Sequence, residues 1–381
     1  MMSFWKSRHP MMTVARIAVL AFGGWWLVKN FALAQLPVSI EWPNTDFANT
    51  SINLDEVMSG GPPKDGIPAI DEPKFVSVAD AGKFVLGAEP VVTLSVGEDH
   101  RAYPLQILIW HEIVNDTVGG TPVSVTFCPL CNATLVFDRR INGKVLDFGT
   151  TGRLRKSDMV MYDRQTESWW QQFTGVGIVG AMNGVELKRV PASIVSFSDF
   201  ATAHPDGKVL SRDTGHRRRY GQNPYQGYDN IENSPFLFFD PVDPRLPAME
   251  RILNITVGDT HKLYPFRAFA KEAVINDSVA SIPVVAFSAD GTLSVLDRGA
   301  IEESRKIRSV TAFGRRVNGR TLDFALVDGH LEDRQTNSRW NLLGTAIDGD
   351  LKGTQLPALD SGIHFAFAWL AFRPDTAIYG Q

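Results

Sequence analysis

The chain has 381 residues, 44% hydrophobic and 21% charged, with a formal net charge of -4. That length supports a sizeable core and more than one domain, and the balance is globular rather than disordered. The slight acidity gives no reason to expect a nucleic-acid partner, while 22 prolines, 32 glycines and 10% aromatics predict a turn-rich, β-rich protein.

The N-terminus differs from the rest. Lys6, Arg8, His9 and Arg16 precede the apolar run Ile17 to Val28. A charged stretch followed by a short apolar one has the form of an export signal, and twelve residues fall short of the roughly 20 that span a bilayer comfortably. Ala32-Leu33-Ala34 offers a cleavage site, whereas Lys29 and Asn30 before it suit an uncleaved anchor. In both readings the positive flank stays inside and the rest is exported, which predicts a periplasmic or extracytoplasmic protein. If residues 1–35 are not cleaved, the membrane is a partner.

Residues 36–85 form a loop-rich lead-in, since GGPPKDGIPAIDEP, Gly60 to Pro73, breaks both helix and central strand. From there the chain repeats itself weakly. VTLSVGEDHRAYP from Val92 is matched by LNITVGDTHKLYP from Leu253. Asn115-Asp116 is matched by Asn276-Asp277, RRINGKVLDF from Arg139 by RRVNGRTLDF from Arg315, and DRQTESWW from Asp163 by DRQTNSRW from Asp333. Alternating apolar runs predict strands, and Asn-Gly between them predicts hairpins. YPLQILIWHEIV predicts a helix of about three turns. The expected fold is therefore a β-rich α+β protein of two related lobes, 86–210 and 251–381, with short helices and Asn-Gly hairpins. A Pro/Arg/Tyr-rich connection, 211–250, joins them.

What only the first copy carries is the better functional candidate. Cys128 and Cys131, in FCPLCNATLVFD, are the only two cysteines in the chain, and the second copy has SADG there. It also has Glu272 where the first has His111. Between the LDF and DRQT landmarks the second copy is six residues shorter, so the first holds an insertion within Gly149 to Tyr162.

Strand-forming residues flank the thiol turn on both sides, which predicts a hairpin tip like a metal knuckle rather than the helix start of a redox motif. Asn132 suits the left-handed position that such a tip needs. A knuckle supplies two ligands, and His111 is the nearest candidate for a third, with Glu112 beside it. Two thiolates with His or Met make a soft set favouring copper, while Asp158 or Asp163 would turn the choice toward zinc or iron. Three readings of the pair stay open: a metal site, a thiol–disulfide oxidoreductase, and a disulfide that stiffens a non-catalytic binding module.

Other residues line a candidate pocket. Gly152 to Phe173 gathers Ser157, Asp158, Met159, Asp163 and Trp169 among cationic and aromatic neighbours. The methionines alternate with Val160 and also suit a core. In the connection, Arg217, Tyr220 and Tyr225 are placed to reach the first lobe or only to link the two.

Taken together, GGPPKDGIPAIDEP, YPLQILIWHEIVND, FCPLCNATLVFDR, TGRLRKSDMVMYDRQTESWWQQ and TGHRRRYGQNPYQGYD resemble the bacterial family called Domain of Unknown Function 3179, over roughly residues 50–380. The resemblance implies an exported protein and names no reaction. His111, Cys128, Cys131, Ser157 and Asp163 sit at matching motif positions. The leading expectation is an extracytoplasmic protein holding a transition metal through Cys128, Cys131 and His111, with copper favoured over zinc or iron.

Overall fold

The computed structural model describes residues 38–381. The expected signal or anchor lies outside the described residues. Among the described residues no helix is long and apolar enough to cross a membrane.

The chain is β-rich, and none of its described α-helices exceeds seven residues. Val91, Val92 and Leu94 of VVTLSV are buried, and their strand, Pro90–Val96, pairs antiparallel with Asp99–Pro104. The short helix Leu105–His111 follows. It is shorter than the three turns expected, because Glu112 takes a left-handed cap at φ 59. The β-branched Ile113 and Val114 then enter a strand.

That strand opens a three-stranded meander of Ile113–Val118, Thr121–Cys128 and Ala133–Asp138. Next comes the Asn-Gly hairpin, Arg140–Ile141 with Lys144–Val145. Asn142 and Gly143 both have positive φ, 49 and 77, as a type I′ turn requires. A further sheet contains Phe148–Arg155, Asp158–Asp163, Trp169–Gln171 and Val176–Val179.

Residues 251–348 run through the same succession: a paired hairpin, a short helix, a three-stranded meander, an Asn-Gly hairpin and a four-stranded sheet. Local devices recur with it. Asp163 Oδ2 accepts from Trp170 Nε1 at 2.9 Å, and Asp333 Oδ2 accepts from Trp340 Nε1 at 3.0 Å.

The lead-in is built into these sheets rather than draped over them. Val57–Ser59 pairs with residues 153–155, and Phe75–Ser77 pairs with Lys208–Leu210. Trp42 is fully buried against Tyr162 and Trp169. The connection 211–250 contains no helix or strand. One apolar cluster joins Cys128, Cys131, Met159 and Phe173 to Phe365 and Trp369, so the C-terminal segment closes over the thiol end of the first meander.

Three histidines are held neutral inside this fold. Burial lowers His364 to about 3, and burial lowers both His111 and His204 to about 4. A histidine whose folded pKa lies below its unfolded value stabilises the protein above about pH 6.5, and that stability is lost as pH falls toward the folded pKa. His364 is fully buried, so its share of the loss between pH 7 and pH 5 is about 2 kcal/mol. Urea unfolding at the two pH values should show a smaller difference in His364→Gln than in the wild type. An equal difference would remove His364 from the account.

Candidate metal centre

The thiol turn sits at a hairpin tip, as expected. Cys128 pairs with Ala133 at the end of the two strands, and Pro129 to Asn132 make the turn. Asn132 is left-handed, φ 49, and its N–H donates to the Pro129 carbonyl at 3.2 Å. Phe365 N–H, from the C-terminal segment, donates to the Cys131 carbonyl at 2.9 Å and holds the tip from the other side. Both cysteines are free and buried.

The extra segment of the first half explains itself here. It lengthens the hairpin of Phe148–Arg155 and Asp158–Asp163 until its turn meets the thiols. That turn is Lys156-Ser157, with φ of 53 and 65, a conformation that normally calls for glycine. A non-glycine residue there costs on the order of 1–3 kcal/mol. The strained turn aims the Ser157 carbonyl at both sulfurs, 3.5 Å from Cys131 Sγ and 4.0 Å from Cys128 Sγ. It also ties Lys156 to Asp240 of the connection, at 2.9 Å.

Asp158 follows the turn directly. One of its carboxylate oxygens and the two sulfurs all lie within 4.8 Å of one another. Its Oδ2 is fixed by Gln171 Nε2 at 2.6 Å and by Phe173 N–H at 2.9 Å. Its Oδ1 is buried without a hydrogen-bond partner, as is Ser157 Oγ. Glu112 is also buried but stands outside that 4.8 Å group, and its carboxylate is met by Tyr225 OH at 3.5 Å.

Burial dominates the electrostatics. It pushes Asp158 up to about 7 and both thiols above their ordinary value. Burial, with the nearby Asp158 charge adding to it, pushes Glu112 up to about 8. Neither carboxylate forms an ion pair among the described residues. Two thiols and the Asp158 carboxyl are thus gathered in a low-dielectric place, with no ion pair to Asp158 among the described residues.

His111 is not part of this group. His111 is buried, but its Nδ1 contacts the Pro68 carbonyl at 2.7 Å and its Nε2 the Tyr220 hydroxyl at 2.7 Å. Both ring nitrogens are therefore engaged away from the sulfurs, and Asp158 stands where the imidazole was expected. Tyr220 and Tyr225 do reach over from the connection, while Arg217 is exposed.

Three further candidates make packing and turn contacts. Met159 packs in the main apolar cluster. Trp169 belongs to a separate cluster with Trp42 and Val179. Asp163 is buried at the opposite end of its strand from Asp158 and caps a turn by accepting from Thr166 N–H at 2.7 Å. Tyr228 escaped the sequence reading. It packs against the cluster that holds both cysteines, and the only hint was its proximity to Tyr225 in an aromatic stretch.

The second half supplies an internal comparison. Phe127 N–H donates to the Glu112 carbonyl at 2.8 Å, and Ser288 N–H donates to the Ala273 carbonyl at 2.8 Å. That equivalence puts Ala273 in the place of Glu112 and Ala289 in the place of Cys128. The matching hairpin, Phe324–Val327 with His330–Asp333, turns at Asp328-Gly329 and is too short to carry a counterpart of Asp158. The converging groups are absent together, while the scaffold around them is retained.

No curated protein and no solved structure matches this chain. Residues 64–376 match the family described as "Protein of unknown function (DUF3179)", and the chain belongs to that family.

Proposed function

We propose that this protein binds one thiophilic transition-metal ion through Cys128, Cys131 and Asp158. The observation that carries the reading is the convergence of two sulfurs and a carboxylate oxygen within 4.8 Å in a buried place. In a tetrahedral zinc site with Zn–S near 2.3 Å and Zn–O near 2.1 Å, ligand atoms stand about 3.5–3.8 Å apart. Only small side-chain rotations separate this arrangement from a coordination sphere.

The donor set also bears on which metal. Histidine or methionine as third ligand would favour copper, but a carboxylate is a harder donor. Two thiolates with Asp158 suit zinc or ferrous iron better, and zinc is the best fit. Thiol–disulfide exchange is the weaker reading. No helix begins at the turn to stabilise a thiolate, and both thiols are pushed up by burial rather than down. The apolar run Ile17 to Val28 supports export, where a bound metal would also shield the thiols from oxidation.

Metal analysis of the purified full-length chain, reduced and loaded with zinc and then desalted, tests the proposal. About one zinc per chain is expected. A reduced, folded protein that retains no zinc, iron or copper would overturn it.

A further inference from the structure

We infer that Glu112 is a fourth ligand of this centre and that it closes the coordination sphere of the ion. The inference rests on the metal reading above and goes beyond it by assigning a residue and a site type.

Five observations support it. Glu112 is a non-glycine residue in the left-handed cap of its helix, a conformation that glycine usually supplies. Its carbonyl accepts from Phe127 N–H, which locks it beside the strand residue next to Cys128. Its carboxylate is buried and has only a long contact, 3.5 Å, to Tyr225 OH. Its charge and those of Asp158 and Cys128 act on one another, although the carboxylate stands outside the 4.8 Å group. The equivalent position in the second half, where cysteines and Asp158 counterpart are also missing, is Ala273.

The buried, unpartnered Asp158 Oδ1 and Ser157 Oγ mark the place toward which such a ligand would turn. A glutamate has three rotatable bonds, so coordination requires its carboxylate to turn from Tyr225 toward the Cys128, Cys131 and Asp158 group. Two thiolates and two carboxylates make a four-coordinate centre that retains its ion and leaves no open position for a substrate. The carboxylates also set specificity. Divalent zinc or cobalt gains from both, whereas monovalent copper is satisfied by the two thiolates alone.

Cobalt substitution of the full-length chain reads the coordination directly. The wild type should give an intense four-coordinate visible spectrum that added imidazole leaves unchanged. Glu112→Gln should lower zinc affinity by about 100-fold or more, since losing even an outer-shell partner of a ligand costs about 10–100-fold, open the cobalt spectrum to imidazole, and leave copper(I) affinity within about threefold. Tyr225→Phe, which removes the competing contact, should keep the wild-type spectrum. A wild-type spectrum that shifts with imidazole, or Glu112→Gln binding zinc and cobalt as the wild type does, overturns the inference and leaves the three-ligand centre standing. A wild-type chain that takes up neither metal overturns both.

Discussion

Replacing both thiols, Cys128→Ser with Cys131→Ser, should lower zinc affinity by about 1,000-fold or more. A structural zinc site of this type is worth roughly 10–16 kcal/mol at neutral pH, and the two thiolates are its strongest donors. The fold should survive, because the register of the thiol hairpin is set by strand pairs from Val123↔Asp138 to Cys128↔Ala133 and not by the sulfurs.

The stabilisation linked to binding should vanish with the thiols. At free zinc 100 times Kd the wild type gains about 2.7 kcal/mol over its metal-free form. A chelator should therefore lower the wild-type melting temperature by several degrees and leave the double variant unmoved. Competition titration against a zinc indicator and calorimetry with and without chelator check both statements. Undiminished zinc affinity in the double variant would remove the metal centre from these cysteines.

Binding should also depend steeply on pH. Burial holds Asp158 near 7 and Glu112 near 8 in the metal-free protein, and the thiols higher than usual. Each must lose its proton to become a ligand, so protons compete with the ion. Affinity should fall as pH drops from about 8 to 6 and recover when it is raised.

The second large effect is on stability. Asp163→Ala should cost about 3–4 kcal/mol, read as a lower urea midpoint. Asp163 is fully buried and accepts from Thr166 N–H at 2.7 Å, from Thr166 Oγ1 and from Trp170 Nε1 at 2.9 Å. Hydrogen bonds to a charged acceptor are worth roughly 1.5–3 kcal/mol, and truncation leaves buried donors unsatisfied.

Asp333 makes the same contacts, to Thr336 N–H at 2.8 Å and to Trp340 Nε1 at 3.0 Å, so Asp333→Ala should cost a similar amount. Zinc content per folded chain should be unchanged in both variants. Asp163 stands at the far end of a six-residue strand from Asp158, roughly 16 Å away at about 3.3 Å per residue. Loss of zinc from a folded Asp163→Ala would contradict its role as scaffold.

Much of this was legible in the sequence. Asn142-Gly143 and Asn318-Gly319 announced their hairpins, because few other pairs accept two left-handed residues in succession. Strand-forming residues on both sides of the cysteines, with Asn132 after them, announced a hairpin tip. The missing thiols and the shorter hairpin of the second copy pointed to the first as the one carrying chemistry. These are local signals, written in residues a few positions apart.

The residue that joins the thiols was not a local matter. His111 shares the expected first lobe with the thiols, but Pro68 and Tyr220 claim its two nitrogens. Asp158 reaches the sulfurs only because its hairpin is long enough to fold a glycine-free turn back over the tip of another hairpin. The sequence by itself determined the strands, the turns and the presence of a two-thiol knuckle, since each depends on the conformational preferences of neighbouring residues. Only the tertiary structure decided that Asp158 joins the two sulfurs, because hairpin length, strand register and burial bring together residues that no short stretch of the chain contains.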